Sequence, residues 1–141
     1  GKDARPMRFV VDRLDHLVIT CKDVTISASW YQRVLGMEVF EFGAKRRTAL
    51  RFGGQKINLR PVEETQQDWF TGTAGGIPGT DDLCFVVTVS AEEVVAHLQR
   101  CGVAVELGPV AKDGALGPIT SVYCRDPDGN LIELATYGVQ P

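Results

Sequence analysis

The sequence predicts an α+β fold: two βαβββ modules forming a curved eight-stranded mixed sheet around a cavity. Three observations carry this expectation. A strand, helix, strand, strand, strand pattern occurs twice along the chain. Each helix ends at a glycine, Gly36 in one copy and Gly102 in the other. The last two strands of each copy are joined by a tight-turn signal, Gly53 and Gly54 in the first and Asp126, Pro127, Asp128, Gly129 in the second.

In the first copy Leu14, His16, Val18 and Thr20 alternate with Asp15, Leu17 and Ile19, the period of a strand. A capped helix follows and closes at Leu35 and Gly36. Extended segments are expected over 37–42, 48–52 and 56–61. In the second copy the apolar run from Leu83 to Val87 reads as a strand, and Ser90 as a helix N-cap. Glu92 and Glu93 then stand in the first turn, where the helix dipole favours acids. Val94, Leu98 and Cys101 repeat at i, i+4, i+7, one buried stripe. Strands are expected over 103–107, 120–125 and 130–137. The helix ends align as well: the run from Tyr31 to Met37 matches that from Leu98 to Val103 with one residue deleted.

A single domain over 12–138 results, made of modules 12–62 and 81–138 and a Gly-rich linker 63–80. Trp69 and Phe70 are expected to anchor that linker to the body rather than cap the cavity. The chain has 141 residues, 44% of them hydrophobic, with 15 Lys and Arg against 18 Asp and Glu, a net charge of −3. No basic stripe is present, so nucleic acid is not an expected partner, and no apolar run is long enough for a membrane span. The start Gly1, Lys2, Asp3 has no apolar signal region, and the expected location is the cytoplasm. Cys21, Cys84, Cys101 and Cys124 are widely spaced and read as reduced core thiols.

Three stretches resemble the vicinal oxygen chelate superfamily of glyoxalases, bleomycin resistance proteins and extradiol dioxygenases. These are Leu14 to Leu17, Tyr31 with Leu35 to Met37, and Asp126 to Glu133. More narrowly, Phe52, Gly53, Gln55 to Leu59, Gly108 to Val110, Gly114, Ala115, Gly117 to Ile119, Ser121, Tyr123 and Arg125 to Asp128 are similar to the subgroup of glyoxalase domain-containing protein 5 and biphenyl-diol-dioxygenase-related proteins. The resemblance implies a divalent metal in the cavity that chelates two neighbouring substrate oxygens, a small-molecule substrate and a homodimer.

Carried over residue by residue, the resemblance makes His16 and Glu133 metal ligands, on the first strand of one copy and the last strand of the other. Asn58 stands where a carboxylate would in the first copy, because Ile57, Asn58, Leu59 matches Ile132, Glu133, Leu134. Asn binds a hard cation through its carbonyl oxygen but cannot act as a base near neutrality. Glu133 is therefore the expected proton carrier as well as a ligand. Leu83 falls in the register of His16 by this alignment and supplies no second imidazole, which disfavours ring cleavage and favours lyase-type chemistry.

Tyr123 is a candidate hydrogen-bond donor to substrate, and Arg47, Arg51 and Arg60 are candidate clamps for an anion or solvated surface groups. His97 is expected to face solvent, and the aspartates 126 and 128 to form a turn. The rival function is a non-catalytic, antibiotic-sequestering binding protein, and His16 with Glu133 has the plainer alternative of a buried hydrogen bond between modules.

Overall fold

The alternation and helix spacing of each copy produce the elements in the expected order. The structure is a computed structural model that describes residues 8–138. The first copy comprises β1 (His16–Cys21), α1 (Val24–Leu35), β2 (Glu38–Phe42), β3 (Arg47–Phe52) and β4 (Gln55–Pro61). The second comprises β5 (Asp82–Val86), α2 (Ala91–Arg100), β6 (Leu107–Gly114), β7 (Gly117–Arg125) and β8 (Leu131–Thr136). The fold class is as expected, α+β with two βαβββ modules. The eight strands divide into two four-stranded sheets, ordered β1-β4-β3-β2 and β5-β8-β7-β6, rather than hydrogen-bonding as one. In each, the first and last strands of the module run parallel and the remaining pairs antiparallel.

Local chemistry fixes the helix ends. Asp23 accepts from the Ile26 amide at 3.0 Å and Ser90 from that of Glu93 at 3.2 Å, capping α1 and α2. Gly36 closes α1 at φ 67°, and Gly102 follows α2 at φ 72°, backbone positions that cost a side-chain-bearing residue steric strain.

Both helices bury one stripe: Ala28, Tyr31 and Val34 on α1, and Ala91, Val94 and Leu98 on α2. These stripes meet one face of each sheet, Ile19, Leu50 and Ile57 on the first and Val122, Ile132 and Leu134 on the second, in one shared core. Fully burying a Leu or Ile side chain contributes roughly 1.5–3 kcal/mol. A one-residue slip of any strand would turn that set outward, so the core holds the register.

Polar contacts also join the modules through the turn before β8. Asp126 is buried and accepts from the Tyr31 hydroxyl at 2.6 Å and from Asn130 Nδ2 at 2.8 Å. It also accepts from the backbone amides of Asp128 and Asn130, while Asp128 accepts from the Lys22 amide and the Ser27 hydroxyl. The expected turn is therefore also the tie to α1. Deep burial, and then the Asp126 carboxylate beside it, pushes the Tyr31 phenol far above its ordinary range.

Four sequence expectations need correction. The strand expected over 103–107 is displaced: β6 starts at Leu107, because Gly108 and Pro109 occupy a register shift on an edge strand, where a missing N–H breaks no ladder. His97 is half-buried rather than solvent-facing, and its Nε2 donates to the Val34 carbonyl at 2.7 Å, joining the two helices. Cys84 is exposed, unlike buried Cys21 and Cys124, although all four thiols are free. Trp69 anchors the linker as expected, with its carbonyl held by Arg60, but Phe70 is 84% exposed and anchors nothing. No helix among the described residues is long and apolar enough to cross a membrane.

Candidate functional site

Strand register aligns the two copies. On the first sheet Val18, Asn58, Ala49 and Phe40 lie side by side across β1, β4, β3 and β2. On the second the corresponding row is Cys84, Glu133, Tyr123 and Leu107. Two residues earlier along the parallel pairs, His16 lies beside Lys56 and Asp82 beside Leu131. The residue matching His16 is therefore Asp82, and the assignment of Leu83 to that position is wrong by one. Leu83 pairs with Ile132 on the core side, as Leu17 pairs with Ile57. Asp82 is the register equivalent of His16 that sequence reasoning missed. The signal was present in the alternation, since His16, Leu17, Val18, Ile19 and Asp82, Leu83, Cys84, Phe85 have the same apolar phase.

Both rows lie on the sheet faces turned away from the shared core, because side chains alternate along a strand. His16 and Asn58 share the outer face of the first sheet; Asp82, Glu133 and Tyr123 share that of the second. Among the described residues of one chain, no three His, Cys, Asp or Glu side chains gather closely enough to hold a metal.

Each half is chemically prepared. His16 Nδ1 stands 2.8 Å from Asp15 Oδ2, and a carboxylate accepts there, so Nδ1 carries the proton and Nε2 keeps a free lone pair. The hydrogen bond from His16 holds the Asp15 carboxyl below its ordinary range. Asn58 is 7% exposed, and its Oδ1 is the one buried side-chain polar atom among the described residues that lacks a hydrogen-bond partner. Leaving such an acceptor unmatched costs about 1–3 kcal/mol.

On the other sheet Glu133 Oε2 accepts from the Ser121 hydroxyl at 2.6 Å, which fixes the carboxylate between Tyr123 and Cys84. Desolvation, and then the Glu133 charge, pushes the Cys84 thiol up to about 11 and raises the Tyr123 phenol. Both groups keep their protons near neutrality, so Tyr123 is an O–H donor.

The three arginines have structural partners. Arg60 is buried and donates to the carbonyls of Trp69 and Glu64. Arg47 lies 4.0 Å over the Trp69 ring and donates to the Asp68 carbonyl, and Arg51 stacks at 3.9 Å on Phe40 and pairs with Glu38. The linker thus covers part of the outer face of the first sheet.

Comparison with known proteins agrees with this architecture. The sequence profile described as Glyoxalase/Bleomycin resistance protein/Dioxygenase superfamily matches residues 13–134. The chain is 39% identical to Virulence protein STM3117 of Salmonella typhimurium, over 96% of this chain and 92% of the relative. It is 48% identical to Glyoxalase domain-containing protein RDO1 of Mycosarcoma maydis, over 90% of this chain and 69% of the relative. Among solved structures it resembles integron cassette protein VCH_CASS1 from the mobile metagenome of V. cholerae, at 41% identity and a TM-score of 0.87, covering 94% of this chain and 100% of that one.

Proposed function

The chain belongs to the Glyoxalase/Bleomycin resistance protein/Dioxygenase superfamily, and on that premise we propose that it is a metal-dependent enzyme of the glyoxalase or lyase type, acting in the cytoplasm on a small molecule with neighbouring oxygens. The observation that carries this reading is the unmatched Asn58 Oδ1, in the position equivalent to Glu133. A buried amide oxygen without a donor is a natural partner for a hard cation.

The donor set suits a divalent ion. His16 offers Nε2, Asn58 its amide oxygen, and Asp82 and Glu133 carboxylates, all N or O ligands of the kind such ions accept. Its two halves lie on separate sheets, so the proposed active form is a homodimer in which the outer face of one copy's first module meets that of the other's second. When bound, the metal supplies Lewis-acid polarisation of a substrate oxygen.

The chain's own residues do the rest. Glu133 moves the proton at the reacting carbon, because its carboxylate is already oriented by Ser121 and no other group of the row has a base's charge near neutrality. The Tyr123 O–H donates to a substrate oxygen and orients it. Asp15 holds the His16 tautomer. With one imidazole, Asp82 in place of a second and Asn58 as a neutral ligand, the set departs from the two-histidine iron pattern, which keeps ring cleavage disfavoured.

Metal analysis of the purified protein, loaded with a divalent ion and freed of excess by dialysis, tests the reading. Stoichiometric metal that is lost in His16→Ala supports it. A metal-free protein under all loadings that takes up an apolar ligand on these faces contradicts it and favours the sequestering function.

A further inference from the structure

One hollow with a mostly apolar wall lies away from both outer faces. It lies at the junction of the modules, on the core side of the sheets, with a volume of about 210 Å³. Its apolar wall includes Met37 and Phe52 from the first module and Phe85, Val87 and Leu134 from the second. Phe52 and Phe85 meet edge to face at 5.3 Å. An engineered apolar cavity of about 150 Å³ takes up benzene, so this one has room for a single ring with a short side chain.

Two polar groups line the same hollow, Glu93 and His97, one turn apart on α2. His97 Nε2 is committed as a donor to the Val34 carbonyl, so in the neutral ring Nδ1 is an acceptor. Glu93 is exposed at the mouth and has no salt-bridge partner among the described residues. Arg100 lines an adjoining outer groove that shares Val89, Glu93 and His97 with this hollow, yet it forms no ion pair with Glu93. An apolar chamber closed by an unpaired carboxylate and a ring acceptor is complementary to an apolar body that carries a cationic donor.

We infer that this inter-module pocket is a second ligand site, taking a small aryl or alkyl amine with its ring among Phe52, Phe85 and Leu134 and its ammonium at Glu93. Leu134 is the neighbour in sequence of Glu133, and the two point to opposite faces of β8. The site is therefore separate from the proposed metal-binding faces and does not rest on the metal reading.

Calorimetric titration of the full chain with 2-phenylethylamine, ethylbenzene and 3-phenylpropanoate tests the assignment. The expected order is amine first, hydrocarbon second and carboxylate last. Glu93→Gln should weaken the amine about tenfold and leave ethylbenzene unchanged, while Val89→Trp at the rim and Val87→Phe inside should each abolish binding of both. Absence of amine binding at millimolar concentration, a carboxylate that binds as well as the amine, or binding that survives both filled variants would overturn the proposal. So would a self-association of the chain that Val89→Trp disrupts, since the hollow would then be part of a contact between copies.

Discussion

The two modules share a backbone and differ in what each grafts onto it. In the row across the first sheet, Val18, Asn58, Ala49 and Phe40 leave one polar group, and it is unmatched. In the row across the second, Cys84, Glu133, Tyr123 and Leu107 place a carboxylate between a thiol and a phenol whose protons are held first by desolvation and then by its charge. The turns differ too. Gly53 and Gly54 simply reverse the chain between β3 and β4, whereas the turn from Asp126 to Asn130 carries the hydrogen bonds that tie the second module to α1. Duplication conserved the packing face, where volume and register are constrained by the core. The outer faces, free of that constraint, differ at the matching position: the first presents an unmatched amide oxygen, the second a carboxylate held by Ser121.

Breaking the turn asymmetry should have the largest effect. Asp126→Ala strands the Tyr31 hydroxyl, the Asn130 amide and two backbone amides at once, and a loss of about 3 kcal/mol in unfolding free energy is expected by urea denaturation. Gly54→Ala, at φ 77° in the turn without such a network, should cost only about 1 kcal/mol.

The acidic row can be read through its thiol. With Glu133 beside it, Cys84 reacts with iodoacetamide slowly at pH 8, and its rate should rise with pH towards about 11. Glu133→Gln removes a charge that opposes the thiolate, so the Cys84 rate at pH 8, followed by mass spectrometry, should increase several-fold. The sign of the linked stability is the same for all three perturbed thiols. Their folded values lie above the ordinary 9.0, at about 12 for Cys21 and about 11 for Cys84 and Cys124. Their contribution is intact below pH 9 and is lost as pH rises through those values, so unfolding free energy should fall on the alkaline side.

The neutral row gives the smallest but most diagnostic change. Asn58→Leu replaces an unmatched buried acceptor by an apolar side chain of similar size, and a gain of about 1 kcal/mol in the metal-free protein is expected. The same variant should bind divalent metal more weakly than the parent, which separates a tolerated defect from a ligand kept at the expense of stability.

Much of this was legible in the chain. The repeat, the helix cap at Ser90, the glycine endings and the hairpin turn before β8 all follow from local chemistry that tertiary context does not override. β6 was misplaced because Gly108 and Pro109 have low strand propensity and only the edge position, a tertiary fact, makes them harmless. The helix pattern alone puts His97 on the outer side, because its partner, the Val34 carbonyl, comes from the other module. The one-residue offset between Leu83 and Asp82 is corrected by the shared apolar phase of β1 and β5, and the parallel pairing with β8 agrees. The candidate ligands His16, Asn58 and Glu133 come from the family resemblance, and strand register then puts His16 and Asn58 on one outer face and Glu133 on the other. Which faces meet depends on how copies assemble, and that is not written in strand periodicity.

Mixing His16→Ala with Glu133→Gln tests the central claim most directly, with bound divalent metal measured after unfolding and refolding the two chains together. In a site built from the first module of one copy and the second of the other, each hybrid dimer regains one intact site, so metal returns to about a quarter of the parental stoichiometry. If the mixture binds no more metal than either variant alone while the parent binds a full equivalent, His16 and Glu133 do not share a site across two copies, and the proposed active form is wrong.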